Sequence, residues 1–138
     1  MKQETACGAI VYTRIDNEIY YVIIESTEGI HGFPKGHMEK DETEEETALR
    51  EIYEEVHLQP EIIGDFRISE EYDIPRRNSH KTNIYFIATY QDQEIKIQEE
   101  ELNSARLLPF KEAFDILEYE SAKKILKEAD SFIRDGTM

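Results

Sequence analysis

The stretch from Gly36 to Leu58 decides the fold, and it reads GHMEKDETEEETALREIYEEVHL. Within it, Glu51, Glu54 and Glu55 have the spacing i, i+3, i+4, which at about 100° per residue places the three carboxylates on one helical face. Like charges at this spacing repel, so the helix needs a cation that offsets the repulsion. Oxygen ligands suit Mg²⁺ or Mn²⁺ and do not suit structural zinc. The stretch therefore predicts a helix that carries a divalent metal site.

Local signals place the ends of this helix. Thr43 followed by Glu46 is typical of a capping box, and acidic residues in the first turn interact favourably with the helix dipole. The sequence therefore predicts a helix over about 44–56. We expect its buried stripe to consist of Ala48, Leu49, Ile52 and Val56.

Two further features flank the acidic face. Arg50 lies beside the carboxylates, where a guanidinium group can hold them by forked hydrogen bonds. The loop before the helix contains Gly29, Gly32 and Gly36, and glycine lets the backbone approach an anion or a metal closely. The loop and the helix together predict one binding site.

Gly36, Glu42, Arg50 and the run EIYEEVHL at 51–58 closely resemble the Nudix box of the Nudix hydrolases. One position departs from the box, because His57 replaces a glycine near the helix C-terminus, where glycine acts as a left-handed cap. Histidine tolerates positive φ at some cost. We therefore expect a changed cap and an intact metal site.

The resemblance extends to one branch of that family, the asymmetrical bis(5′-nucleosyl)-tetraphosphatases, which hydrolyse diadenosine tetraphosphate (Ap4A). Residues 6–8, 30–39 and 81–86 carry it outside the box, and it covers nearly the whole chain. It implies an α/β fold in which a mixed β-sheet is sandwiched between helices (α/β/α). It also implies a Mg²⁺-dependent pyrophosphohydrolase that cleaves dinucleoside polyphosphates, with Ap4A giving ATP and AMP, and in which Mn²⁺ is a substitute metal.

The resemblance also implies roles for individual residues. The metal ligands would be Glu51, Glu54, Glu55, Glu101 and the backbone carbonyl of Lys35. The catalytic residues would be Arg50, Glu54, Glu55 and Glu101. Either Glu55 or Glu101 would be the general base. The choice of Glu101 within the acidic triplet at 99–101 stays open, and a solvated turn is the alternative for all three.

A second set of residues is expected to bind the substrate. It consists of His31, Lys35, His37, Lys81, Tyr72, Tyr85 and Tyr119. The cations and histidines would contact phosphates, and a tyrosine ring can stack on a base with about 1–3 kcal/mol. Core packing is the alternative for Tyr85, which lies in an apolar run. For the basic turn at 75–81, which contains Arg76 and Arg77, a polyphosphate contact and a solubilising surface both stay open.

Composition limits the partners. The 138 residues predict a single domain over 1–138, and Lys plus Arg number 16 against 31 for Asp plus Glu, a formal net charge of −15. This charge disfavours extended nucleic acids and anionic membranes, so we expect a small nucleotide substrate. Cys7 is the only cysteine, the start is not typical of a signal peptide and no apolar run approaches about 20 residues, so a cytoplasmic protein is expected. Both a monomer and a homodimer stay open.

The remaining chain predicts strands followed by helices. The expected strands are 6–12, 19–25, 62–74, 82–90, 94–97 and 105–108, and the expected later helices are 109–117 and 121–134. Other Nudix substrates stay open as alternatives: a nucleoside triphosphate, ADP-ribose, a diphosphoinositol phosphate or a capped RNA. A nucleotide-sensing module without catalysis is a further alternative, although the glutamate set is complete.

Overall fold

The computed structural model describes residues 1–136, so the last two residues of the predicted 1–138 domain lie outside the described residues. The strands are β1 Lys2–Ile15, β2 Glu18–Ser26, β3 His31–Gly32, β4 Lys35–His37, β5 Glu61–Ile62, β6 Ile68–Ile74, β7 Ser79–Thr89 and β8 Leu102–Pro109. The helices are α1 Glu44–Val56, α2 Phe110–Ile116 and α3 Glu120–Asp135, and Pro75–Arg77 form a 3₁₀ turn.

All eight strands belong to one mixed sheet. Its centre is β1, which pairs in parallel with β7, from Lys2 beside Ser79 to Tyr12 beside Thr89. Strand β1 also pairs antiparallel with β2 and with the short β4. Strand β8 extends the sheet next to β2, while β5 and β6 pair with β7. The parallel pairing brings the loop before α1 close to the first half of β7.

Helices cover both faces of the sheet. Helix α1 packs Ala48, Ile52 and Val56 against one face in a fully buried cluster. Helix α3 packs Leu126 and Ala129 against the other face, in a cluster to which α2 also contributes. The predicted α/β/α arrangement of a mixed sheet between helices is therefore confirmed.

Helix α1 has the predicted bounds, but one residue of its predicted buried stripe is wrong. Leu49 is 37% exposed, and Thr47 is fully buried in its place. The Thr47 hydroxyl donates to Glu42 Oε1 at 2.8 Å, and it also lies 3.1 Å from the Thr43 carbonyl oxygen. Because these partners offset the cost of burying the hydroxyl group, a polar residue can face the sheet here.

Two predicted strands are corrected. The predicted strand 62–74 is divided into β5 and β6, and Gly64 between them has a φ of 64°, which interrupts the ladder. The predicted strand 94–97 is absent from the described residues, because this segment bonds to the end of α1 instead. The Lys96 and Gln98 N–H groups donate to the carbonyl oxygens of Val56 at 3.0 Å and Glu55 at 2.9 Å.

A search for membrane-spanning helices among residues 1–136 finds none with the necessary length and apolar character.

Candidate active site

Both ends of α1 carry the capping features that fix its position. The Thr43 N–H donates to Glu46 Oε1 at 2.8 Å and the Glu46 N–H donates to Thr43 Oγ1 at 3.1 Å, so the predicted capping box is confirmed. At the other end His57 adopts a left-handed conformation with a φ of 64°. Its ring lies 4.5 Å from the Tyr53 ring, measured between centroids. The histidine therefore adopts the conformation that glycine favours, and the Tyr53 contact holds it there.

A cleft of about 410 Å³ opens beside the acidic face of α1. It brings together residues that lie far apart in the sequence. Its lining residues are Lys35, Gly36, His37, Glu39, Glu51, Glu54, Glu55, Lys81, Gln98 and Glu101. Seven of these ten were predicted site residues and Gly36 was predicted to lie in the binding loop, while Glu39 and Gln98 were missed because no local pattern marks them. Within the acidic triplet at 99–101, only Glu101 lines the cleft.

Gly36 gives Glu51 its place in this cleft. A Cβ atom at position 36 would overlap the carboxyl group of Glu51. The absence of a side chain therefore lets the carboxylate lie directly against the backbone of β4. The Glu51 side chain is 16% exposed, and burial is the main reason that its pKa is raised.

Arg50 holds the carboxylates around the cleft. Its Nε and Nη2 atoms donate to the two oxygens of Glu42 at 2.6 and 3.0 Å, a forked pair. Its Nη1 donates to Glu51 Oε2 at 3.1 Å and to Glu54 Oε2 at 3.2 Å, and Nη2 also donates to the His37 carbonyl at 3.0 Å. Arg50 therefore positions three carboxylates and the chain of β4. The catalytic role predicted for Arg50 stays a prediction.

Glu55 is the most deeply desolvated acid of the cleft. The Lys35 N–H donates to its Oε1 at 3.1 Å, and burial raises the pKa of its carboxyl group to about 8. The negative charges of Glu51 and Glu101 raise this pKa further. A buried carboxyl group with an elevated pKa is suited to proton transfer and to binding a cation.

The segment 96–101 carries Glu101 into the cleft. Beside the two hydrogen bonds to the end of α1, the Glu101 N–H donates to the Gln98 carbonyl oxygen at 2.9 Å, which closes a tight turn. The position of Glu101 relative to Glu55 is therefore set by backbone hydrogen bonds and does not depend on its own exposed side chain.

The carboxylates are not grouped around a point in this structure. Among residues 1–136, no three His, Cys, Asp or Glu side chains are arranged to hold a metal ion. Arg50 engages Glu51 and Glu54, and the Lys35 N–H engages Glu55. The donor chemistry still fits a hard divalent cation, since the cleft offers several carboxylate oxygens and the space beside Gly36. Arg50 contacts Glu51 through Oε2 alone, so Oε1 of that carboxylate is left for a cation.

The predicted cations reach the cleft from two strands. Lys35 on β4 and Lys81 on β7 both line it, and burial together with the neighbouring Lys35 charge lowers the pKa of Lys81. His37 also lines the cleft, and its Nε2 lies 3.3 Å from Glu4 Oε1. Lys35 and Lys81 lie opposite the acidic face of α1. This arrangement suits an anion, such as a polyphosphate, that binds together with a metal cation.

The other substrate-binding candidates lie outside the cleft lining. His31 is held by Glu118, with its N–H 2.8 Å from Oε1 and its Nδ1 2.6 Å from Oε2. Tyr72 and Tyr119 are 44% and 57% exposed, so both rings can accept a base. Tyr85 is only 3% exposed and packs edge-on against Phe33, with 5.5 Å between ring centroids. The stacking role predicted for Tyr85 is corrected to core packing, because almost no ring surface is left for a base.

A glutamate-bearing helix after a glycine-containing loop, set on a mixed sheet between helices, defines the class. The model of the NUDIX domain matches residues 4–129, so the chain belongs to the Nudix hydrolase family. Members of this family generally use divalent metal ions and bind small nucleotide substrates.

Similar proteins narrow the comparison to one group within the family. The asymmetrical bis(5′-nucleosyl)-tetraphosphatase of Rattus norvegicus is 32% identical over 140 residues, which cover 93% of this chain and 94% of the relative. The enzyme of the same name from Mus musculus is 33% identical over the same shares. A crystal structure of a C. elegans Ap4A hydrolase binary complex has a TM-score of 0.87 at 20% identity, covering 96% of this chain and 98% of that one. The predicted resemblance to this branch is therefore confirmed.

Proposed function

We propose that the protein is a Mg²⁺-dependent hydrolase of dinucleoside polyphosphates that cleaves Ap4A to ATP and AMP. The observation that carries this proposal is the 32–33% identity to asymmetrical tetraphosphatases over 93% of the chain. The cleft supports it, because Lys35 and Lys81 stand opposite a row of glutamates as a polyphosphate requires.

Glu51, Glu54, Glu55 and Glu101, together with the Lys35 carbonyl, would hold Mg²⁺ or Mn²⁺, which would supply Lewis-acid charge when bound. Glu55 or Glu101 would accept the proton of the attacking water, and the raised pKa of Glu55 is suited to that transfer. Arg50 would keep Glu51 and Glu54 at the cleft edge. The donor chemistry of these side chains and the lining of the cleft support these roles.

The chain's own cations and aromatic rings would bind the substrate. Lys35, Lys81 and His37 would contact phosphates, since all three line the cleft. Tyr72 and Tyr119 have exposed rings, on which a base could stack with about 1–3 kcal/mol. His31 would contact the substrate after its ring leaves Glu118.

We also propose a single domain over 1–138 and a cytoplasmic setting. The setting rests on Cys7, which is fully buried and is the only cysteine of the sequence. The net charge of −15 argues against extended nucleic acids as partners. The contacts within one chain are compatible with both a monomer and a homodimer.

The test is a product assay with a substrate panel, in Mg²⁺ and in EDTA. The panel contains Ap4A, nucleoside triphosphates, ADP-ribose, a diphosphoinositol phosphate and a capped RNA. We expect ATP plus AMP from Ap4A at a kcat/KM above that of every other substrate, and no turnover in EDTA. A preference for another member of the panel would assign a different Nudix activity, and binding of Ap4A without turnover of any substrate would favour a sensing module.

A further inference from the structure

A second cavity opens beside the catalytic cleft, on the other side of His37. Its volume is about 350 Å³, within the range of small-molecule sites. His37 lines both cavities, so the two spaces adjoin each other. The side chains at the second cavity that bear charge or hydroxyl groups include Lys2, Glu4, Arg77 and Ser79.

Strand register makes the floor of the two cavities continuous. In the parallel pairing of β1 with β7, Lys2 lies beside Ser79 and Glu4 lies beside Lys81. Ser79 and Lys81 are two residues apart on one face of β7, a separation of about 7 Å. A chain of phosphates that contacts Lys81 in the cleft can therefore continue along the sheet toward Arg77.

The charge of the second cavity is opposite in sign to that of the whole chain. Lys2 and Arg77 face it with a single carboxylate, Glu4, in a protein whose formal net charge is −15. Cations gathered in one place in an acidic protein attract anions to that place. In the part of the chain that is described, the Arg77 guanidinium contacts only Glu4, through Nη2 at 3.3 Å. A guanidinium has five N–H donors, so donors are left for a phosphate.

Glu4 gives the second cavity a hydrogen-bond acceptor for hydroxyl groups of a ligand. Its side chain is only 10% exposed, and Arg77 and His37 both approach its Oε1 at 3.3 Å. The nearby Ser79 hydroxyl is the main reason that the pKa of Glu4 is lowered, so the carboxylate is ionised at neutral pH. An ionised carboxylate accepts hydrogen bonds from hydroxyl groups. The cavity thus combines phosphate-binding cations with one strong acceptor.

We propose that this cavity is a distal subsite for the second nucleotide of a dinucleoside polyphosphate. Arg77 and Lys2 contact its phosphate, and Glu4 accepts hydrogen bonds from its ribose hydroxyls. The inference rests on the proposed function, because a mononucleotide would occupy the catalytic cleft without reaching Arg77. The subsite gives the enzyme a way to prefer substrates that carry a nucleoside at both ends.

The test compares two neighbouring arginines on two substrates. Arg77 lines the cavity, whereas Arg76 lies on the same turn, is exposed and lines neither cavity. We expect Arg77→Ala to lower kcat/KM for Ap4A about tenfold, mainly through KM, because a charge-assisted hydrogen bond is lost. For ATP, which lacks the second nucleotide, the change should stay below about twofold, and Arg76→Ala should stay below about twofold for both.

A second variant covers the case in which Arg77→Ala disturbs the fold, which its melting temperature would reveal. Glu4→Gln should also lower kcat/KM for Ap4A more than for ATP. Equal losses on the two substrates in both variants, or an Arg76→Ala effect equal to that of Arg77→Ala, would overturn the subsite and leave the proposed function standing. If the wild type cleaves no dinucleoside polyphosphate, both proposals fail together.

Discussion

Glu42 and Glu55 are the same amino acid on one segment, yet their surroundings give them opposite properties. Glu42 accepts two hydrogen bonds from Arg50 and one from the Thr47 hydroxyl at 2.8 Å, and Arg50 is the main reason that its pKa is lowered to about 2. Glu55 accepts a single hydrogen bond from the Lys35 N–H, and burial raises its pKa to about 8. Glu42 is thus paired with a guanidinium group, whereas Glu55 is hydrogen-bonded to a neutral backbone N–H group.

The difference separates structural acids from acids available for chemistry. A satisfied carboxylate such as Glu42 fixes the loop, because it ties the helix to residues on both sides of it. A desolvated carboxylate such as Glu55 costs stability until a cation or a proton neutralises it. Within one acidic segment, the number of hydrogen-bond donors around each carboxylate therefore indicates its role.

Glu55→Gln is the most direct test of the contrast between Glu42 and Glu55, and it should have the largest effect on activity. We expect kcat for Ap4A to fall about 10²–10⁴-fold, since the change removes a proton acceptor and a metal ligand. The melting temperature of the metal-free protein should stay equal or rise, because an uncharged amide avoids the cost of a buried charge. Glu45→Gln, which removes an exposed acid of the same helix, is the matched control. Turnover retained at saturating Mg²⁺ would remove Glu55 from the mechanism.

Gly36→Ala tests the space that holds Glu51. The new Cβ would overlap the Glu51 carboxyl group, so the side chain must turn out of its place. We expect activity to fall about 10–100-fold and the Mg²⁺ concentration for half-maximal rate to rise. Gly32→Ala is the control, because a Cβ there would meet nothing within 4 Å. Similar kinetics for the two variants would contradict the role of Gly36.

The pH dependence of Mg²⁺ binding tests whether the pKa of Glu55 is raised. The pKa of Glu55 is raised from 4.5 to about 8, so folding takes up a proton and the metal-free protein loses stability as pH rises through this interval. Mg²⁺ must displace that proton, so its affinity should rise about tenfold per pH unit up to pH 8. Calorimetric titration between pH 6 and 9 would measure this, with Glu55→Gln as the control. An affinity that does not change with pH would contradict the prediction.

Glu42→Gln should have the smallest effect on chemistry and a larger effect on folding. It removes one charge from the forked pair with Arg50, so the melting temperature should fall by several degrees. Activity should fall only about two- to fivefold, because Glu42 lies outside the cleft lining. Steady-state kinetics beside thermal unfolding would separate the two effects. A loss as large as that of Glu55→Gln would show that both acids act in catalysis.

The sequence predicts those parts of the molecule that depend on neighbours along the chain. The bounds of α1 follow from its capping box and its spacing, so they agree with the structure. The exposure of Leu49 and the burial of Tyr85 depend on what packs against them across the sheet, which a local pattern does not contain. The segment 94–97 has an apolar content typical of a strand. In the structure, however, its Lys96 N–H donates to the Val56 carbonyl oxygen at the end of α1 instead of to a neighbouring strand.

The sequence predicted which residue types form the site, but only part of their arrangement in space. Glutamate spacing indicates which side chains share a helical face, and the cleft contains the three that were expected. The engagement of Glu51 and Glu54 by Arg50 requires a guanidinium reaching across the helix surface, and several rotamers of Arg50 are compatible with the same sequence. The cavity beside Arg77 depends on the β1–β7 register, which joins residues more than seventy positions apart.

That parallel register also governs how the protein acquires activity during synthesis. Strand β1 is synthesised before α1, and its partner β7 and the segment with Glu101 follow only after α1 is complete. A nascent chain therefore displays its acidic helix before any lysine from β7 can face it, and non-local pairings of this kind form slowly. Nucleotide hydrolysis should therefore appear only after β7 and the segment with Glu101 have been translated. A fragment that ends before β7 should have no activity.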